Sequence, residues 1–258
     1  MLNFKSINVA TFVIFISLLV VFLVNPISIW WFVCLLFIWL MVTALGSGLV
    51  GWNYHLKILN SNKNATKNHI AITFDDGPNS EFTPQVLALL NKFQAKATFF
   101  CIGKHIEIHP EISQQIITAG HTIGNHTYSH ANNFGFYNTE KVQSELEKTN
   151  SVIKELSGLN PQLYRPAFGV TNPHIRRAVQ NLNLITIGWN KRSLDTTNLS
   201  EKQILNRITK NLKSGDVILL HDTSDKSVRV LEQLLLFLRE NNFQSVTIDT
   251  LFNIKAYA

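Results

Sequence analysis

The chain has 258 residues, 46% of them hydrophobic and 16% charged, which suits one sizeable core with an appendage rather than several domains. Its formal charge of +6 is unevenly placed: residues 1–74 carry Lys5, Lys57, Lys63 and Lys67 with no acid, while 19 further basic residues nearly balance 17 acidic ones. The basic surplus belongs to the N-terminal part, which argues against a nucleic-acid partner, and Cys34 and Cys101 lie in separate apolar runs that do not suggest a disulfide.

From Val9 to Val24 the chain reads VATFVIFISLLVVFLV, and after Asn25-Pro26 a second uncharged run continues to Trp52. A spanning helix needs roughly 20 apolar residues, with about 17 as the short limit, so both runs qualify. The break at Asn25-Pro26 predicts a hairpin, making residues 1–58 a membrane anchor that meets the bilayer through residues 9–50. A cleaved signal peptide fits less well, because Lys5 alone is a thin basic region and no small-residue cleavage site leads into polar sequence after Val24. A hairpin returns the C-terminal domain to the side of the N-terminus, and the four lysines favour the cytoplasmic side.

Residues 59–68 contain the polar stretch NSNKNATKN and read as a linker. Beyond it, over 69–258, strand-like runs alternate with helices: 69–74, 97–102, 121–125, 162–165, 184–189, 216–221 and 245–248 are the strands. Helix boundaries are legible between them, at Thr83-Pro84, Pro110, Gly120, Thr139, Gly158, Asn172-Pro173 and the Ser200/Gln203 capping box. Val230, Leu231, Leu234, Leu235 and Leu238 share one face of a late helix and read as core. This alternation predicts an α/β fold, a barrel of about seven parallel strands, with any chemistry at the C-terminal strand ends.

The strand ends carry reactive groups. Asp75-Asp76-Gly77-Pro78 follows the first strand, His126-Thr127-Tyr128-Ser129-His130 the third, Arg165-Pro166-Ala167-Phe168-Gly169 the fourth, Asp195 the fifth, and His221-Asp222 ends the sixth. Asp-Asp-Gly-Pro alone is ordinary turn chemistry, and HxxxH alone is ordinary surface. Together, however, His126 and His130 at i, i+4 on one helical turn plus one carboxylate make a three-ligand site with positions left for water, and the second carboxylate remains free as a general base. His105, His109 and His174 lack such partners in sequence and read as solvated.

TFDDGP, HTYSH, RPAFG and LLH, in this order and spacing, resemble the polysaccharide deacetylases of carbohydrate esterase family 4, the chitooligosaccharide deacetylase homology domain, over about residues 68–258. The resemblance implies a distorted (β/α) barrel and one divalent metal, usually zinc but cobalt, nickel or manganese in some members, held by Asp76, His126 and His130. It implies Asp75 as the base toward the attacking water, Arg165 as the cation that orients it, His221 as the acid for the departing amine, and Asp195 as the group that tunes His221. It further implies the Phe168 backbone N–H as an oxyanion donor, Leu219 as the wall for the acetyl methyl, and Thr127 as a hydroxyl brace of the metal loop. The chain departs from the pattern at Arg192, where an acid is common, at Thr196, where an aromatic walls the sugar groove, and at Ala167 and Phe168, where Pro and Tyr are common. The implied function is N-deacetylation of a polysaccharide (peptidoglycan, chitin-like or exopolysaccharide) by a protein of a bacterial cell membrane. A lipid-linked sugar is the alternative substrate, and a non-catalytic sugar-binding protein the lesser one; no oligomer signal is readable.

Overall fold

The computed structural model describes residues 3–258. Helices α1 (Phe4–Val24) and α2 (Trp30–Gly48) form the expected hairpin. Both are apolar on every side, and apart from Gly46 they bury no residue, so their side chains project outward from the fold. Between the two helices, Trp39 Nε1 donates to Asn8 Oδ1 at 2.8 Å. Each helix is long and apolar enough to cross a membrane.

The rest of the chain alternates in the predicted manner: β1 (His69–Asp75), α3 (Phe82–Lys92), β2 (Ala97–Cys101), α4 (Gly103–Ile108), α5 (Pro110–Thr118), β3 (Thr122–Asn125), α6 (Thr139–Ser157) and β4 (Leu163–Tyr164). There follow α7 (Pro173–Asn181), β5 (Ile185–Thr186), β6 (Lys191–Arg192), α8 (Glu201–Thr209), β7 (Val217–His221), α9 (Asp225–Glu240), β8 (Gln244–Ser245) and α10 (Ile248–Phe252). The strands are parallel in the order β5-β4-β3-β2-β1-β7-β6, with β8 beside the start of β1. The outcome is an incompletely closed α/β barrel, as the alternation of strands and helices requires.

Local chemistry explains the helix ends. Asn138 and Asn172 accept from backbone N–H groups of the first turns of α6 and α7, Ser200 and Gln203 form a reciprocal capping box, and Gly158 ends α6 in the left-handed conformation. Helix α9 buries Val230, Leu231, Leu234, Leu235 and Leu238 against β1, β2 and α3 neighbours such as Ile72, Phe99 and Leu90. Each such side chain contributes about 1.5–3 kcal/mol on burial.

Two departures from the sequence reading bear on the site. The single strand expected at 184–189 is split into β5 and β6, which sit at opposite ends of the strand order although they are neighbours in the chain. The carbonyls of Ile187 and Gly188, in the break, are taken by the Arg165 guanidinium instead of a neighbouring strand. Residues 59–68, expected as a linker, are in part built into the barrel. Leu59 N–H donates to Thr186 O at 3.0 Å, Gly188 N–H to Leu59 O at 2.8 Å, and Asn62 N–H to Gly215 O at 2.8 Å. Just before them, Val50, Tyr54 and Ile58 are buried, and a Cβ on Gly188 would lie 2.4 Å from Val50 Cγ1, so only glycine permits this approach. The hairpin is therefore seated on the barrel, with Phe4 N–H donating to Tyr54 O and Thr171 N–H donating to Ser47 O, both at 2.9 Å.

Candidate active site

The strands deliver Asp75, His126, Arg165 and His221 to one end of the barrel because each stands at or just after the C-terminal end of its strand. In-register pairing sets Asp75 beside His221. The result is a cleft of about 300 Å³ lined by Asp75, Asp76, His126, His130, Phe168, Leu219 and His221, with Trp189, Arg192 and Thr196 on its wall.

Asp76 Oδ1 lies 3.4 Å from both His126 Nε2 and His130 Nε2, and the three ligand atoms fall within 4.8 Å of one another. The two histidines do not meet on a helical turn, as the i, i+4 spacing suggested. They lie on a bent loop in which Thr127 (φ +65°) and His130 (φ +46°) adopt left-handed backbone. Asp76 (φ +73°) and Phe168 (φ +58°) do the same. A non-glycine residue there costs roughly 1–2 kcal/mol, and such strain persists where surrounding contacts over-determine it. Those contacts are visible: Glu145 accepts from the N–H groups of Tyr128 and Ser129 and from the Ser129 hydroxyl, Asn125 Oδ1 accepts from Thr127 N–H, and Thr127 Oγ1 accepts from His130 N–H at 3.2 Å.

Asp75 is held differently. Arg165, wholly buried, donates to Asp75 Oδ1 at 2.8 Å, Thr73 Oγ1 at 2.6 Å and Gly188 O at 2.9 Å, and its guanidinium lies 4.1 Å from the centre of the Phe100 ring. The buried cation is thus paired and hydrogen-bonded, the condition for tolerating a charge in the interior. Asp75 Oδ2 faces His126 Nε2 at 3.9 Å.

Across the cleft, His221 Nδ1 pairs with Asp195 Oδ1 at 2.8 Å, which leaves Nε2 toward the site, 3.9 Å from Asp76 Oδ2. Asp195 is fully buried and also accepts from Ser193 Oγ, Ser227 Oγ and the His221 N–H. Burial alone would lower the basicity of His221, but the bond to Asp195 and the charges of Asp195, Asp75 and Asp76 outweigh it and raise the imidazolium to about 9. Burial works against ionised Asp76 as well, yet the His126 imidazole beside it, with His130 and His221 close by, holds its carboxyl below the usual carboxylate range. His130 is lowered by burial and by the neighbouring His126. His126 resists burial and is raised by Asp75 and Asp76, so any metal on this pair competes with a proton.

All ten residues singled out in the sequence therefore line or adjoin one cleft, with Leu219 buried in its wall and Phe168 exposed at its rim, 4.4 Å from the His130 ring. His105, read as solvated, is a correction: its Nδ1 lies 2.8 Å from Asp76 O and braces the acidic turn. Thr73, Glu145, Ser193 and Ser227 were not singled out: Thr73, Glu145 and Ser227 act across tertiary contacts, whereas Ser193 bonds to Asp195 two residues on. Asp222, named at the sixth strand end without a role, is packed under the acidic turn, where a Cβ on Gly77 would clash with its carboxylate, and is bonded to Thr83 Oγ1. Burial raises its carboxyl to about 7.

Residues 62–187 match the polysaccharide deacetylase family. A Bacillus cereus protein named peptidoglycan-N-acetylglucosamine deacetylase is 35% identical over 193 residues, covering 72% of this chain and 89% of the relative. A second B. cereus protein of that name is 34% identical over 190 residues, covering 72% and 69%. The crystal structure of a peptidoglycan N-acetylglucosamine deacetylase superposes with a TM-score of 0.72 at 32% identity over 78% of this chain and 94% of that one. These matches run through the barrel whose strand ends carry the cleft, and on them the chain belongs to the polysaccharide deacetylase family.

Proposed function

We propose that this protein is a membrane-anchored, metal-dependent N-deacetylase that removes acetyl groups from N-acetylglucosamine units of a bacterial cell-wall polysaccharide, in keeping with the names of its relatives. One observation carries the reading: Asp76 Oδ1 is buried without a hydrogen-bond partner, facing two imidazole nitrogens, beside one carboxylate fixed by Arg165 and one imidazole fixed by Asp195. An orphaned buried carboxylate oxygen flanked by two Nε2 atoms fits a divalent cation, and a mixed nitrogen and oxygen donor set suits zinc, with cobalt, nickel and manganese as alternatives. Asp76, His126 and His130 would hold it, and when bound it supplies Lewis acidity toward the acetyl carbonyl and toward water.

The remaining roles fall to the chain itself. Asp75, its Oδ1 held by Arg165, keeps Oδ2 free to take a proton from the attacking water. As the carbon–nitrogen bond breaks, His221 Nε2 gives its proton to the departing amine, and acetate and a glucosamine amine are released. Asp195 keeps His221 in the donor form. The Phe168 N–H would face the developing oxyanion, and Leu219 would receive the methyl group, while Thr127 braces the loop between the two histidines. Arg192 and Thr196 replace an acid and an aromatic on the wall, leaving Trp189 as the ring that a sugar face can meet there.

The test is acetate release by the full chain in detergent, metal-stripped and then reloaded with zinc or cobalt, on N-acetylglucosamine oligomers and peptidoglycan. Asp75→Asn is expected to cut turnover by about 10³-fold or more, as losing a general base does, with metal content unchanged. Equal loss of metal would reassign Asp75 as a ligand.

A second substrate, a lipid-linked N-acetylated sugar, is favoured by one contact. The loop that carries Phe168 rests on the end of α2 through the Thr171 to Ser47 hydrogen bond, and Val50 packs on Gly169. Faster acetate release from the polymer than from a lipid-linked disaccharide would dismiss it.

A further inference from the structure

A second cavity, of about 690 Å³, lies where the hairpin meets α7 and shares no lining residue with the cleft. Lys5, in the first turn of α1, Lys57, after the hairpin, and Arg176, on α7, line it together with His55 and Thr186. No carboxylate lines it, and none of the three cations forms an ion pair among the described residues. Elsewhere on this chain exposed cations do find acids, as Arg229 does with Glu201 and Lys92 with Glu232.

Behind the cavity wall lies unmet hydrogen-bonding capacity. His55 is 4% exposed and Thr186 3%, yet His55 Nδ1 and Thr186 Oγ1 have no partner. Such groups are rarely left orphaned in a native interior unless something outside the chain completes them. The other imidazole nitrogen of His55 is committed to Ser47 Oγ at 2.9 Å. Burial, and then the charge of Arg176, lower the His55 pKa to about 4, so the ring is neutral. A neutral ring that accepts from the Ser47 hydroxyl at Nε2 carries its proton at Nδ1, where it is a donor. Three cations with no acid on the wall, backed by two buried polar atoms that lack partners, describe a site for an oxyanion.

Its depth names the source of that anion. Lys5 lies four residues before Val9, where the first apolar run begins, a rise of about 6 Å along the helix, which is the depth of headgroups beside a hydrocarbon core. We propose that this cavity binds the phosphate of an anionic phospholipid headgroup, an assignment that rests on the membrane-anchored reading above. Bound there, the phosphate would fix α7 of the catalytic domain against the membrane face, and so orient the cleft relative to the bilayer.

The test uses the full chain in nanodiscs of pure phosphatidylcholine and of phosphatidylcholine mixed with phosphatidylglycerol, followed by thermal unfolding. Phosphatidylglycerol is expected to raise the Tm by roughly 2–4 °C, and the Lys57→Gln/Arg176→Gln double variant to lose that shift while keeping its acetate release in detergent. Equal Tm values in the two nanodiscs, or a shift that survives in the variant, would overturn the proposal. So would equal stabilisation by inorganic phosphate in detergent, which would make the ligand a free anion. Alkaline carbonate extraction of membranes separates the two readings: a chain released into the supernatant refutes the anchor itself, whereas a retained chain without the lipid effect refutes only the headgroup site.

Discussion

The strand-end cleft and the hairpin base both gather cations, imidazoles and buried polar atoms, but they settle their charges in opposite ways. In the cleft, Arg165 answers Asp75, and Asp195 answers His221, each at 2.8 Å and each with further hydrogen bonds from the surrounding chain. At the hairpin base, Lys5, Lys57 and Arg176 have no acid on the cavity wall, and His55 and Thr186 leave atoms unpartnered. In the first region the buried oxygens left without a partner are Asp76 Oδ1, which faces the two histidines, and Asp222 Oδ1 beneath the acidic turn. In the second, three cations and two buried polar atoms lack partners. Completeness gives preorganisation, which suits chemistry; incompleteness gives affinity, which suits a ligand.

The sharpest way to break this contrast is to unpair the cleft. Arg165→Met leaves the Asp75 charge buried with no cation beside it, and also strips a donor from Thr73, Ile187 and Gly188. Losing one partner of a buried ion pair costs roughly 3–5 kcal/mol, so denaturant unfolding of the variant should show a stability loss of that order, with turnover lost as well. A loss below about 1 kcal/mol would mean that the pairing is incidental to the fold.

A smaller effect, specific to acid catalysis, is expected of Asp195→Asn. His221 is raised from 6.5 to about 9 against the opposing pull of burial, chiefly by Asp195. The sign follows: for a raised imidazole, the ion pair stabilises fully below pH 6.5 and is lost as pH rises through about 9, and the donor form is present over the same range. With asparagine the imidazole loses its proton at lower pH, so the alkaline limb of the turnover profile should move down from near 9, with a rate at pH 8 lower by about 10²-fold. An unmoved limb would separate His221 from proton delivery.

How far the sequence could be read depends on the range of each interaction. Strands β1, β2 and β7, the stop at Gly158 and the Ser200/Gln203 cap are set by patterns within a few residues, and they fall where the sequence places them. The acids and histidines of the cleft were legible because they stand at strand ends, while Arg165, Phe168, Leu219 and Thr127 were singled out through the family resemblance of the motifs that hold them. What was not legible acts at a distance. The split between β5 and β6 depends on Leu59 and Arg165 taking backbone groups from the run 186–188. Glu145 reaches back to residues 128 and 129 from another helix, and His105 reaches the Asp76 carbonyl from α4. The left-handed turns at Thr127 and His130 replace a helical turn because Glu145 and Asn125 satisfy the loop's N–H groups without one. The same limit hid the hairpin base: residues 50–58 look like the tail of an apolar run, and only their packing on Gly169 and Gly188 reveals them as part of the domain.

The smallest expected effect sharpens the comparison from the other side. If the hairpin base lacks internal partners, removing one of its cations should relieve like-charge repulsion instead of breaking a pair. Lys57→Gln, measured by denaturant unfolding in uncharged detergent at low salt, should therefore leave stability unchanged or raise it by about 0.2–0.5 kcal/mol, the scale of exposed charge interactions. The gain should fade toward 0.15 M salt, where the screening length is about 8 Å and exposed cations no longer sense one another strongly. A loss of stability would mean that Lys57 has an acidic partner within the fold, and the hairpin base would then be a paired region like the cleft. A gain would leave the two regions opposed in sign: charge removal costs several kcal/mol where the chain supplies the counterion, and nothing where the counterion must come from outside.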